Sequence, residues 1–81
     1  MSTAVVKPPN GYDLAFARWF EAHGWRVHVY VGEIAVWVTD DAPCPFTVTR
    51  GMIERLTGAG KLEQVFPANA GVFDDFYVTK Q

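Results

Sequence analysis

Three side chains in this sequence, those of His23, His28 and Cys44, are the best suited to nucleophilic or metal chemistry. A histidine next to a cysteine can activate the thiol as a nucleophile, and both residue types bind zinc. The sequence has no C-x-x-C or H-x-x-x-H pair, and Cys44 stands between two prolines in a segment typical of a rigid loop. We therefore expect no metal, no cofactor and no catalytic Cys44–His28 pair.

Other signatures of catalysis are also missing from the sequence. No glycine-rich phosphate-binding loop follows a predicted strand, and no G-x-S-x-G motif occurs. Two acidic pairs, Asp40-Asp41 and Asp74-Asp75, offer the oxygen ligands that divalent cations prefer. Neither pair has the spacing of a calcium-binding loop, and adjacent residues on a strand point to opposite faces, so solvated carboxylates are the favoured interpretation. The sequence predicts that the protein is not an enzyme.

The most regular pattern lies in residues 25–39, with the sequence WRVHVYVGEIAVWVT. Apolar residues alternate on both sides of Gly32-Glu33, which predicts a β-hairpin with a two-residue type II′ turn there. In that register Val29 lies opposite Val36, and the valines form the core face. The other face carries four candidate partner-binding residues: Arg26, His28, Tyr30 and Trp37.

This second face combines aromatic rings with an imidazole and a guanidinium. Trp, Tyr and Arg are the residues enriched at the centres of protein–protein interfaces. We therefore expect the hairpin to contact a protein partner or a second copy of the chain, so that a homodimer is one form of this hypothesis. Two alternatives stay open: another part of the same chain covers the face, or a planar small molecule stacks on it. A one-residue change in the hairpin register would exchange the two faces.

Two helices are predicted to frame the hairpin. The first runs over residues 11–23, begins after a cap at Asn10, and carries Asp13 in its first turn, towards the solvent side. Gly24 is expected to end this helix in the left-handed conformation. The second helix runs over residues 50–59 and lies on the sheet.

Two further strands, over residues 62–66 and about 75–79, complete the order αββαββ. We predict an α+β fold in which two helices pack on a four-stranded, mainly antiparallel sheet. Residues 1–10 are predicted to form a flexible tail, and residues 11–81 a single domain.

A capped helix, a short turn and two strands follow the hairpin. The segments TVTRGMIERLTGAGKL, EQVF, PANAGVFDD and FYVT resemble the recognition helix, strand, wing and last strand of winged-helix DNA-binding proteins. The resemblance implies that Arg50 and Arg55 reach bases or phosphates. No positioning helix precedes the recognition helix, however, and the wing carries Asp74 and Asp75 with no basic residue. A winged-helix-like transcriptional regulator is therefore the alternative function.

Composition and charge narrow the partners further. Seven basic and nine acidic residues give a net charge of −2, which does not favour binding to nucleic acid. The sequence has no apolar run near the ~18 residues that a membrane span needs and no signal-peptide pattern at its start. We predict a small cytoplasmic interaction module, an adaptor or a stoichiometric inhibitor such as phages direct at host machinery. A small-molecule-binding module is the third possibility.

Overall fold

The computed structural model describes residues 7–80, which form two helices and a four-stranded sheet. The elements in chain order are α1 (Gly11–His23), β1 (Gly24–Tyr30), β2 (Glu33–Val38), α2 (Arg50–Gly58), β3 (Leu62–Val65) and β4 (Asp74–Thr79). The strands lie in the order β2-β1-β4-β3, and each neighbouring pair is antiparallel. The predicted α+β class and the order αββαββ are confirmed. Residues 1–6 of the predicted tail lie outside the described residues, and residues 7–10 precede α1 without helix or strand.

Helix α1 begins at its predicted cap. The Asn10 side chain accepts a hydrogen bond from the Asp13 backbone N–H at 2.8 Å, and the Asp13 carboxylate accepts one from the Asn10 N–H at 3.1 Å. This reciprocal pair satisfies two donors that the start of a helix otherwise leaves free.

The end of α1 differs from the prediction. Gly24 has φ −102° and ψ 163°, so it is extended rather than left-handed, and it begins β1. A Cβ atom at this position would lie 2.2 Å from Cδ1 of the buried Phe20 ring. The glycine is therefore required by close packing where the helix turns directly into the strand.

Both helices cover the same face of the sheet. The core contains Phe16 and Phe20 from α1, Met52, Ile53 and Leu56 from α2, and Val27, Val29 and Leu62 from the sheet. Cys44, Phe46 and Val48, from the segment between β2 and α2, also pack against this core. The opposite face of the sheet, which we call the outer face, therefore points away from both helices.

The sequence analysis predicted Asp13 on the solvent side of α1, and this prediction is wrong. Asp13 is fully buried, and its carboxylate accepts two hydrogen bonds from Arg55 of α2: Nε to Oδ2 at 2.6 Å and Nη2 to Oδ1 at 3.1 Å. The hydrogen bonds from Arg55 hold the pKa of Asp13 below its ordinary value, even though burial alone would raise it. This ion pair joins the two helices.

The hairpin turn lies one residue earlier than predicted. Its loop is Val31-Gly32, with φ angles of 45° and 85°, and the flanking residues Tyr30 and Glu33 pair with each other. Positive φ at both positions is typical of a type I′ turn, in which glycine takes the second position rather than the first. Every partner on β2 moves by two residues, so the two faces keep their predicted members except Val31, which was predicted to lie in the core and is instead 68% exposed in the turn. The observed pairs include Val29 with Ile34 and Val27 with Val36.

The turn leads to a prediction, because a β-branched residue rarely adopts positive φ. We expect Val31→Asn to raise the free energy of unfolding by about 1 kcal/mol, since asparagine tolerates the left-handed region and Asn-Gly is the preferred type I′ sequence. Val31→Thr keeps the β-branch while replacing a methyl group with a hydroxyl, so it serves as the matched control and should change stability little. Urea unfolding of the three proteins tests this. Equal gains in both variants would show that loss of the exposed apolar surface, not relief of backbone strain, is responsible.

Candidate interaction surface

The four predicted partner-binding residues lie together on the outer face. Arg26, His28 and Tyr30 alternate along β1 with the core residues of that strand, and Trp37 pairs with Arg26 from β2. Both helices pack on the other side of the sheet. No helix or strand among residues 7–80 covers these side chains, and Tyr30 is 49% exposed.

The strand register arranges the outer face in three cross-strand rows. The first, which we call the arginine row, contains Trp37, Arg26, Val78 and Glu63, on β2, β1, β4 and β3. The middle row contains Ala35, His28, Phe76 and Val65, on β2, β1, β4 and β3. Glu33, Tyr30 and Asp74 form the third, which we call the acidic row. One end of the face thus carries the cation Arg26 and the carboxylate Glu63, the other end carries the carboxylates Glu33 and Asp74, and the row between them is mainly apolar.

The centre of the face is a compact aromatic cluster. The His28 ring stacks on Phe76, with a centroid distance of 4.6 Å and an interplanar angle of 10°. Trp37 meets both rings edge-on, at 5.9 Å from His28 and 6.1 Å from Phe76. These contacts leave Phe76 only 8% exposed. The cluster therefore fixes Trp37 and His28 before any partner binds.

Arg26 lies among three aromatic rings. Its Cζ atom is 4.8 Å from the Trp25 ring centroid, 5.0 Å from that of Phe76 and 5.6 Å from that of Trp37. Trp25 reaches this cluster because the pairing of β1 with β2 is irregular between Gly24 and Arg26. Within the described part of the chain, the buried Nε of Arg26 has no hydrogen-bond partner and no carboxylate lies within ion-pair distance of the guanidinium. Among these residues, the charge is thus held by ring faces.

Asp74 occupies the acidic row in a fixed position. Its Oδ1 lies 2.8 Å from Nε2 of His28, and its Oδ2 accepts a hydrogen bond from the Gly71 N–H at 2.9 Å. The bond from His28 is the main cause that lowers the pKa of Asp74 from its ordinary value. An ionised carboxylate only accepts, so His28 is the donor in this pair.

The sequence analysis favoured solvated carboxylates for the two acidic pairs, but a residue of each pair has a side-chain partner in the structure. Asp40 lies 2.6 Å from Nδ1 of His23, which lowers the pKa of Asp40, and Asp75 accepts a hydrogen bond from Gln64 at 2.9 Å. The two pairs lie at opposite ends of β1, so they do not converge. Among residues 7–80, no group of three His, Cys, Asp or Glu side chains is placed to hold a metal ion.

Cys44 and His28 lie on different sides of the sheet. The Cys44 thiol donates to the Phe46 carbonyl at 3.6 Å and packs against the helix-side core, whereas His28 belongs to the outer face. The structure therefore does not bring Cys44 and His28 together as a nucleophilic pair.

The arginines of the winged-helix alternative have different surroundings. Arg50 is exposed at the start of α2, whereas the Arg55 guanidinium binds Asp13. The buried residues of α2, Met52, Ile53 and Leu56, place this helix against the sheet. The segment before it is the hairpin and a loop, so no positioning helix precedes it.

A groove of about 510 Å³ lies away from the outer face, between α1 and the strand ends near Lys61 and Lys80. Arg18 and Glu21 of α1 line it with apolar atoms of Leu14. It shares no residue with the aromatic cluster.

Sequence reasoning did not place Trp25, Glu33, Asp74 or Phe76 on the outer face. Trp25 breaks the alternation because of the irregular pairing, and Phe76 and Asp74 reach the face only through the pairing of β4 with β1. That pairing joins segments more than 40 residues apart, and no local pattern encodes it.

Neither helix among the described residues has the length and apolar character needed to cross a membrane. Comparison of the chain with protein-family models, with curated proteins and with solved structures found no match. The proposed function therefore rests on the geometry of the outer face.

Proposed function

We propose that this chain is a non-enzymatic protein-interaction module, a cytoplasmic adaptor or stoichiometric inhibitor, that binds a protein partner through the outer face. One observation carries the proposal: the Arg26 guanidinium is held among three aromatic rings, on a sheet face that no helix or strand among residues 7–80 covers, and no carboxylate in that range pairs with it. A guanidinium in this position binds a carboxylate most strongly when the partner also carries an apolar surface that excludes water from the ion pair.

The composition and shape of the face favour a protein as the partner. It presents Trp, Tyr and Arg side chains on a rigid sheet, which limits the side-chain entropy lost on binding. Its rows spread over four strands rather than closing around a cavity, and the groove of about 510 Å³ lies elsewhere. A flat aromatic surface suits a second protein surface better than a small molecule.

The winged-helix alternative has less support. Of its two proposed contact residues, Arg55 is already bound to Asp13, so only Arg50 is left to reach a phosphate. The chain is also acidic overall, with a net charge of −2. Phosphate binding depends on several basic side chains acting together.

Two tyrosines of nearly equal exposure provide the test. Tyr30 on the outer face is 49% exposed, and Tyr12 on α1 is 48% exposed. We expect Tyr30→Ala to weaken binding of a partner about tenfold or more, because it removes a rigid aromatic contact, and Tyr12→Ala to leave binding unchanged. The measurement is affinity purification from the native cells, with and without nuclease treatment, of tagged wild type and both variants, each shown to be folded by circular dichroism.

Retention of one protein in stoichiometric amount by wild type and Tyr12→Ala, and its loss with Tyr30→Ala, would support the proposal. An untagged copy of the chain counts as such a protein. If only nuclease-sensitive material is retained, or if Tyr30→Ala retains as much protein as wild type, the outer face is not the binding surface.

A further inference from the structure

The outer face is complementary to itself. The arginine row lies on one side of the middle row, and the acidic row lies on the other, each two residues away along the strands. When a copy is turned end for end, Arg26, the one cation in these rows, meets the row that carries two of their three carboxylates, Glu33 and Asp74. We infer that the partner bound by this face is a second copy of the chain, an inference that rests on the proposed function.

The register fixes how two copies would meet. A two-fold axis lying in the interface along the middle row runs the strands of one copy antiparallel to those of the other. It places Arg26 of each copy over the acidic row of its partner, with Tyr30 facing it and Glu33 one strand away. Strands are about 4.8 Å apart, which the long arginine side chain can span. Because the axis is two-fold, each contact occurs twice.

Glu33 is the carboxylate best placed to receive Arg26. It is exposed at the first position of β2, and it forms no hydrogen bond or ion pair within residues 7–80. Asp74 is already engaged by His28 and by the Gly71 N–H. Two unpaired charges of opposite sign thus meet at each end of the interface, while the two middle rows pack together between them.

The outer face is small for a dimer interface. Four strands of about six residues span roughly 15 by 20 Å. The corresponding area, roughly 300 Å², is well below the ~800 Å² of surface that each partner buries in a typical stable interface. We therefore expect a dimer that forms with rising concentration rather than an obligate one.

A charge exchange tests this arrangement. Arg26→Glu would place a second carboxylate near Glu33 at both ends of the interface, and Glu33→Arg would place a second cation near Arg26 at both ends, so each single change should raise the dimer dissociation constant about tenfold or more. The double variant Arg26→Glu/Glu33→Arg restores opposite charges and should dimerise within a few-fold of wild type. Sedimentation velocity from low micromolar to near-millimolar protein measures all four, with Glu54→Arg on α2 as a control of equal charge change. Glu33→Arg alters an exposed side chain, so it remains informative if Arg26→Glu does not fold.

Loss of the dimer in both single variants and its return in the double variant would support the inference. A wild type that stays monomeric throughout, or a dimer that the single changes do not weaken, would overturn it. A double variant that folds but does not recover would also overturn it. If the wild type is monomeric but binds a different protein, and Tyr30→Ala abolishes that binding, the dimer is ruled out and the proposed function still holds.

Discussion

Replacing Asp13 with asparagine is expected to lower the free energy of unfolding by about 3 kcal/mol. The carboxylate is 1% exposed and is bound by Nε and Nη2 of Arg55, so the neutral amide leaves a guanidinium without its counter-charge. The effect falls at the lower end of the range for buried ion pairs because the Arg55 side chain is 27% exposed. Urea unfolding at pH 7 measures the loss.

The same ion pair predicts how stability depends on pH. The pKa of folded Asp13 lies below its ordinary value of 3.8, so its stabilising contribution is fully present above about pH 4. That contribution is lost as the pH falls through the folded-state pKa. The wild type should therefore lose stability steeply below pH 4, and Asp13→Asn should lose less of it over the same interval. Asp40 and Asp74, whose pKa values are also lowered, add to the acid sensitivity of both proteins.

A double-mutant cycle with Arg55→Met provides the control. Arg55→Met leaves the fully buried Asp13 carboxylate without its ion-pair partner, whereas the double variant Asp13→Asn/Arg55→Met removes both charges and should cost less than the sum of the single changes. Additive effects, or an Asp13→Asn variant within about 0.5 kcal/mol of wild type, would contradict the account. Arg55 would then be free for other contacts, and the nucleic-acid alternative would gain support.

The second large effect is expected for Gly24→Ala, which should destabilise the fold by about 3 kcal/mol. The backbone at Gly24 is extended and accepts any residue, so the cost is steric: the added Cβ would lie 2.2 Å from the buried Phe20 ring. Neither the ring nor the helix–strand junction can move without disturbing the core. Thermal unfolding measures the effect.

Gly11→Ala is the matched control for this substitution. Gly11 lies in the first turn of α1, and no atom lies within 4 Å of a Cβ built there. Alanine should therefore stabilise the protein by about 0.5 kcal/mol, through its higher helix propensity and the lower entropy of the unfolded chain. If Gly24→Ala unfolds like Gly11→Ala, the close approach of Phe20 does not constrain the fold.

Local patterns predicted much of this fold. The helical spacing of Phe16 and Phe20, the cap at Asn10 and the alternation in residues 25–39 each specify an element within one short segment. The division of the hairpin into two faces was also correct, because the wrong turn type moved the register by an even number of residues. A type II′ turn favours glycine at its first central position and a type I′ turn at its second, so Gly32 fits either turn, and the neighbouring Val31 gave no sign that it adopts positive φ.

Features that depend on distant parts of the chain could not be predicted. An acidic residue in the first turn of a helix is normally solvated, and only the approach of Arg55, 42 residues away, buries Asp13. The same limit applies to the outer face. The hairpin pattern alone places Arg26, His28, Tyr30 and Trp37 on it. Phe76, which stacks on His28, requires the pairing of β4 with β1.

The central claim is that the outer face contacts another protein in the cell. Site-specific photo-crosslinking tests it most directly, with p-benzoylphenylalanine introduced at Tyr30 and, as the control of equal exposure, at Tyr12. We predict that irradiation of living cells joins position 30 to one protein, either a second copy of this chain or another protein, and that position 12 gives no such adduct. The absence of any protein adduct at position 30, or the same adduct in equal yield at position 12, would contradict the account.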